Sequence, residues 1–211
     1  MSLKWKIAQH LEIRWWKRYL KSKSPKEYLE WKNNYWKGFL KKINIEVANG
    51  ASILDAGCGP AGIFVHFPNH QVSAVDPLLE QYETLPHFSS KKYPNTTFQN
   101  ASLETAKLAQ YDYIFCLNAI NHVADLPKSF DKIVDALKPN GKMIVSIDAH
   151  NYKGLKHLFR LLPGDVLHPH QYDKEEYKNM LTQRGLTIDF EILIKHEIIF
   201  DYWALVASKK D

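Results

Sequence analysis

The sequence predicts an α/β fold: a doubly wound, mostly parallel sheet of seven strands covered by helices on both faces, preceded by a helical segment. Three observations predict it. Short β-rich runs alternate with helical stretches from residue 53 onward, the last two β-rich runs are separated by almost no chain, and the first 42 residues differ from the rest in charge and aromatic content.

In the first segment Leu3, Ile7, Leu11 and Trp15 recur every fourth residue, which aligns them along one side of a helix. Ser24-Pro25 supplies an N-cap and a first-turn proline, and Tyr28, Trp31, Tyr35 and Phe39 continue a second helix that Asn49-Gly50 closes off. Residues 1–42 hold 12 Lys/Arg against 3 Glu, a net of +9, whereas residues 43–211 hold 16 against 20, a net of −4; together these give the +5 of the chain. Trp5, Trp15, Trp16, Trp31 and Trp36 lie in the same stretch, leaving only Trp203 elsewhere. Residues 1–45 are therefore expected to form a basic, aromatic helical unit ahead of a domain spanning 46–211.

Strands are expected at Ile53–Ala56, Val72–Val75, Thr97–Gln99, Tyr113–Leu117, Lys142–Ile147, Thr187–Ile194 and Ile198–Ser208, with helices after Pro60, Pro77, Leu103 and Asp125 and from Asp173 to Arg184. The last two strands must form an antiparallel hairpin, because a parallel pair needs a long crossover. With 211 residues, 45% of them hydrophobic, the chain can bury one substantial core. No apolar run reaches the roughly 18 to 20 residues of a membrane span, and the N-terminus lacks a signal-peptide layout, so a cytoplasmic location is expected. Cys58 and Cys116 are too few for a disulfide framework and are not spaced as a zinc site. Both read as buried small residues, and no metal is expected.

The stretch ILDAGCGPAGIF, residues 53–64, places Gly57, Gly59 and Gly62 directly after the first strand. Open α/β sheets bind ligands there, outside the carboxyl ends of their strands, and glycines let a ligand lie on the main chain. The G-x-G-x-x-G spacing also fits a dinucleotide. Asp55 argues against one, since a carboxylate there repels a pyrophosphate and attracts an ammonium group. Twenty-one residues on, Asp76 ends the second strand, placed to accept hydrogen bonds from ribose hydroxyls. An ammonium at one end and a ribose in the middle describe S-adenosylmethionine.

ILDAGCGPAG followed by VSAVDP resembles the class I S-adenosylmethionine-dependent methyltransferases, whose sheet is Rossmann-like with a reversed last strand; the resemblance covers roughly residues 45–211. It implies that Asp55, Gly57, Cys58 and Gly59 hold the methionine portion, that Asp76 with Pro77 holds the ribose, and that Ser102 and Leu103 lie by the adenine. Serine at 102 departs from the acid common in the family and makes a weaker contact; as a plain reading Ser102 caps a helix. DYIFCLNAINHVAD puts Asn118 and Ala119 beneath the sulfonium, with His122 bonding the loop. Methyl transfer from a sulfonium is an in-line displacement that depends mainly on alignment and exclusion of water. Where the acceptor carries a proton, a base adds about 10² to 10⁴-fold, and His150, His168 and His170 are the candidates, with Asp148 and Tyr172 beside them.

For the N-terminal helices three readings stand: a lid that packs its aromatic side over the cleft and leaves its lysines as a solvated face, a nucleic-acid surface, and a helix pair lying on an anionic membrane. The aromatics recur at helical spacing, which favours the lid and a small-molecule acceptor. An RNA- or other macromolecule-directed methyltransferase is the alternative, although Asn118-Ala119-Ile120-Asn121 lacks the Asn/Asp-Pro-Pro-aromatic motif of base-modifying members. A non-catalytic cofactor-binding module is the further alternative, with a dehydrogenase behind it. Nothing in the sequence fixes the oligomeric state.

Overall fold

A computed structural model describes residues 3–150, 172–196 and 200–210. Two N-terminal helices, α1 (Leu3–Leu20) and α2 (Pro25–Lys42), precede strands β1 (Ile53–Ala56) and β2 (Val72–Val75), a one-turn helix α3 (Leu79–Tyr82) and strand β3 (Thr96–Gln99). Strand β4 (Tyr111–Leu117), helix α4 (Leu126–Asp135), strand β5 (Leu137–His150), helix α5 (Lys174–Thr182) and strands β6 (Leu186–Lys195) and β7 (Phe200–Lys209) follow. The strands form one seven-stranded sheet in the order β3-β2-β1-β4-β5-β7-β6. Neighbours from β3 to β5 run parallel, and β7 is antiparallel to both β5 and β6. All seven expected strands are therefore present, with β5 longer at both ends because Leu137 pairs with Tyr111 and Ala149 with Asp201.

The period-two alternation of strand side chains divides the core between the two faces. On one face Ile53, Val72, Ala74, Phe115 and Ile144 pack with Ile13, Leu20, Tyr28, Trp36, Phe39 and Leu40 of the N-terminal helices. On the other, Leu54, Val75, Ile114, Cys116 and Val145 meet Phe130 and Ile133 of α4 and Tyr177 and Leu181 of α5. Helices α1 and α2 thus supply much of one core layer. His87 Nε2 at 2.9 Å from the Lys23 carbonyl and Lys42 Nζ donating to the Ile194 carbonyl at 2.8 Å tie them to the rest.

Local sequence explains most ends. Pro25 opens α2, and Ser24 takes an extended backbone whose carbonyl accepts from Tyr28 N, but its hydroxyl makes no capping bond. Asp125 and Asp173 do cap α4 and α5; at α5 the Glu176 side chain returns the favour to the Asp173 amide, a complete capping box. Two helical expectations fail. After Pro60 the chain makes only two short 3₁₀ turns, Gly59–Ala61 and Ile63–His66. Gly59, Pro60 and Gly62 are poor helix formers, Phe64 N donates to the Asp55 carboxylate instead of to a helical carbonyl, and α2 packs over these turns. After Leu103 a single turn forms, in which Ser102 Oγ meets Thr105 Oγ1; Gln99 Oε1 then captures Lys107 N. Ser102 therefore caps no helix.

Candidate active site

At the carboxyl ends of β1, β2 and β4, where the strand order reverses, a cavity of about 690 Å³ opens. Its floor is the turn after β1. Gly57 has φ +76°, and a Cβ there would collide with Ala119, so the β1 and β4 loops touch only because the position is glycine. A Cβ at Gly62 would run into the Asp55 carboxylate. Gly57 and Cys58 both donate their amides to the Val75 carbonyl, at 2.8 and 3.1 Å, which pins the turn to β2.

Asp55, Gly57, Cys58, Gly59, Asp76, Pro77, Ser102, Leu103, Asn118 and Ala119 all line this one cavity, as does His122. Asp55 is buried, with Oδ2 accepting from Phe64 N at 3.0 Å. Asp76 is also buried; Oδ1 accepts from Leu78 N at 2.8 Å and Oδ2 from Gly59 N at 2.9 Å. A carboxylate oxygen has two lone pairs, so each acid keeps capacity to accept from a ligand. Burial pushes both up to about 7, against the lowering effect of these amides; the Glu12 charge adds to the rise at Asp76, and Asp76 adds to that at Asp55. Asn118 holds a left-handed backbone, φ 52°, with its amide on Ser146 Oγ at 2.8 Å.

The opposite wall belongs to the N-terminal helices. Trp5, Glu12, Trp15, Trp16, Trp31, Lys32, Tyr35 and Trp36 line the cavity, and Trp36 Nε1 donates to the Ala61 carbonyl at 3.2 Å across to the glycine turn. Lys32, expected on a solvated face, instead lies in the cavity wall with its ammonium 4.2 Å from the Trp36 ring centre and 5.2 Å from that of Tyr35. Burial lowers it to about 8, offset by the Asp55 charge. Glu12, raised by burial, is hydrogen-bonded by Tyr82 at 3.4 Å. Asp55, Asp76 and Glu12 thus lie around the cavity floor, with Lys32 charge-coupled to Asp55, and a cationic ligand stabilises their ionised forms. That charge balance fits a sulfonium or ammonium group and opposes a pyrophosphate.

Other groups escaped the sequence reading. Glu104 in the cavity wall accepts from the amides of Ala124 and Asp125 through Oε1, at 2.8 and 3.0 Å, while Oε2 is buried without a partner of good geometry. Tyr202 of β7 meets Ser146 Oγ at 2.7 Å, and the same serine hydroxyl accepts from the Asn118 amide, which ties the Asn118 loop to β7. Lys195 and Tyr202 complete that side together with Asp148, which the sequence places beside the candidate bases. Of the three histidines expected as bases, His168 and His170 lie outside the described residues. His150 ends β5 opposite Phe200, and its side chain lies outside them as well. Tyr172 packs edge-on to Tyr177, 5.7 Å between ring centres. The described residues contain no cluster of acids, histidines and cysteines able to hold a metal, and no helix is long and apolar enough to cross a membrane.

Comparison with known proteins adds four findings. Residues 21–190 match the family model described as a methyltransferase domain. A "Ubiquinone biosynthesis O-methyltransferase" of Rickettsia prowazekii is 27% identical over 160 residues, covering 70% of this chain and 63% of that protein; the chain spans a little under two thirds of the first such relatives. Among solved structures, a Burkholderia thailandensis 1,6-didemethyltoxoflavin-N1-methyltransferase with bound 1,6-didemethyltoxoflavin and S-adenosylhomocysteine superposes with a TM-score of 0.64 at 16% identity, covering 100% of this chain and 92% of that one. The N-methyltransferase NodS of Bradyrhizobium japonicum gives 0.64 at 12% identity, covering 85% and 97%.

Proposed function

The chain belongs to the class I S-adenosylmethionine-dependent methyltransferases, and on that premise we propose that it moves a methyl group from S-adenosylmethionine to an oxygen of a planar aromatic small molecule. The observation that carries the proposal is the pair of buried carboxylates, Asp55 and Asp76, at the ends of adjacent strands on one glycine-floored cavity. In this reading Asp55 receives the ammonium of the methionine portion, and the amides and open floor of Gly57, Cys58 and Gly59 receive its main chain. Asp76, beside Pro77, accepts from the ribose hydroxyls. Ser102 and Leu103 border the adenine, with the Glu104 carboxyl beside them in the cavity wall. Asn118 and Ala119 underlie the reacting carbon.

The bound cofactor supplies an activated methyl group on a positive sulfur. The protein's contribution is to aim the acceptor along the line of the breaking bond and to keep water out. Trp5, Trp16, Trp31 and Tyr35 offer flat apolar walls for an aromatic ring, which supports the reading of α1 and α2 as a lid. Oxygen as the accepting atom follows the curated relatives. Methyl-labelled S-adenosylmethionine incubated with a panel of hydroxylated aromatics tests the proposal. Label recovered on a ring oxygen is expected; absence of transfer to every acceptor, together with no binding of S-adenosylhomocysteine, contradicts it.

A further inference from the structure

Most large hydrophobic side chains of this protein are buried, and the exceptions are not scattered. Among the described residues five are exposed, and four of them belong to the N-terminal helices: Ile7 at 45%, Leu11 at 39%, Trp15 at 49% and Trp31 at 52%. Ile7, Leu11 and Trp15 are spaced by four, so they form one stripe along α1. Arg14, Lys17 and Arg18 are exposed beside it, and exposed Lys21, Lys23 and Lys26 continue the charge through the turn into α2. The only acid of α1, Glu12, lies on the cavity side and contributes no charge to this surface. On α1 the apolar stripe is edged by cations, with the exposed acids Glu27 and Glu30 confined to α2, and such a stripe is what a helix lying in the headgroup region of an anionic bilayer presents.

The second observation is where the stripe leads. Trp15 and Trp31 are both exposed and both line the cavity. A ladder of rings joins them: Trp15 stacks on Tyr19 at 4.9 Å between centres, Tyr19 meets Tyr28 at 6.3 Å, and Tyr28 meets Trp31 at 5.8 Å. Tryptophan and tyrosine at the boundary between an apolar phase and water are well placed, because each has an apolar ring and a polar edge. Among the described residues no helix is long and apolar enough to span a bilayer.

We propose that the outer side of α1 and the exposed edge of α2 dock on an anionic phospholipid surface, setting the mouth of the cavity against the bilayer so that an amphiphilic acceptor enters from lipid. The acceptor class rests on the methyltransferase reading above, whereas the docking does not. Sedimentation with vesicles of phosphatidylcholine alone, and of phosphatidylcholine with phosphatidylglycerol, tests it on the full chain, with calorimetry of S-adenosylhomocysteine run in parallel. Binding at least tenfold tighter to the anionic vesicles is expected, weakening as salt rises and accompanied by a blue shift of tryptophan emission.

Two variants separate the contributions, and neither touches a cavity residue. Ile7→Asn with Leu11→Asn removes the stripe, and Arg14→Glu with Arg18→Glu reverses the charge. Each should cut vesicle binding tenfold or more while the affinity for S-adenosylhomocysteine and the circular dichroism spectrum stay as in the parent. Equal, weak sedimentation with both vesicle types overturns the docking. So does dimerisation through α1 that abolishes vesicle binding, or binding of an RNA oligonucleotide more tightly than anionic vesicles under the same salt. Failure of the parent chain to bind anionic vesicles while it still binds S-adenosylhomocysteine refutes this inference alone; vesicle binding by the parent chain without any affinity for S-adenosylhomocysteine refutes the cofactor reading alone.

Discussion

The two walls of the cavity have opposite faults as freestanding surfaces. On the strand side, acids are buried: Asp55 and Asp76 are held by amides and pushed up to about 7. On the helix side, large rings are exposed, Trp15 and Trp31 about half so. Burying an acid and exposing an indole both cost free energy in the empty protein. Each wall suits a different kind of group, a cation below and an apolar body above, and the two can be broken separately.

The largest effect should come where the walls meet. Trp36 is buried among both helices and the glycine turn and donates to the Ala61 carbonyl. Trp36→Ala should lose about 3 to 5 kcal/mol of stability, measured by chemical denaturation. A loss below 1 kcal/mol would mean that α2 rests loosely on the sheet.

Next come the acids. Asp55→Asn and Asp76→Asn should each weaken S-adenosylhomocysteine by about 1 to 3 kcal/mol, the worth of a hydrogen bond to a charged group. Asp55→Asn should also raise the melting temperature of the ligand-free protein at pH 8, because it removes a buried charge while leaving an oxygen to accept the Phe64 amide; Asp76→Asn should not, because its new NH2 group meets the Gly59 or the Leu78 N–H. At Asp55 binding and stability thus move in opposite directions, which a purely structural carboxylate would not do.

The pH dependence sharpens this. Each acid holds its proton to about pH 7 when folded but only to the ordinary carboxylate range when unfolded. The native state therefore binds more protons between those limits, and the contribution of both acids to stability falls as pH rises from about 4 to about 7, then levels off. Thermal melts across that window should show the decline in the parent and a flatter profile in the two Asn variants. The smallest effect belongs to the upper wall: Trp15→Ala should change stability in solution by less than about 0.5 kcal/mol, as expected of a half-exposed ring.

The lower wall was legible in the sequence because its parts are set by backbone demands that leave a local trace. A glycine required at φ +76°, an acid two residues before it and a second acid at the end of the next strand can all be read from spacing. The sheet was legible for the same reason, down to the antiparallel β7. The upper wall was less so. Lys32 looks like one more solvated lysine by composition, yet the helical period puts it between Tyr35 and Trp36 on the buried side of α2, and that spacing was a signal that could have found it. Glu104 gave no such signal, since its role depends on the amides of Ala124 and Asp125 twenty residues away. The missing helix after Pro60 was partly legible, in the poor helix formers Gly59, Pro60 and Gly62, and partly reflects α2 lying over the turn and Asp55 capturing an amide, which leave no local trace. Deletion of residues 1–42 consequently removes core side chains as well as a cover.

One titration bears most directly on the central claim that two desolvated strand-end acids grip the cofactor. S-adenosylhomocysteine is titrated into the protein at pH 6 in two buffers of different ionisation heat, where the ligand's ammonium should drive Asp55 into its charged form. Net release of protons on binding is expected, abolished together with most of the affinity in the Asp55→Asn, Asp76→Asn double variant. Undiminished binding by that variant, with no proton released by the parent, would contradict the claim.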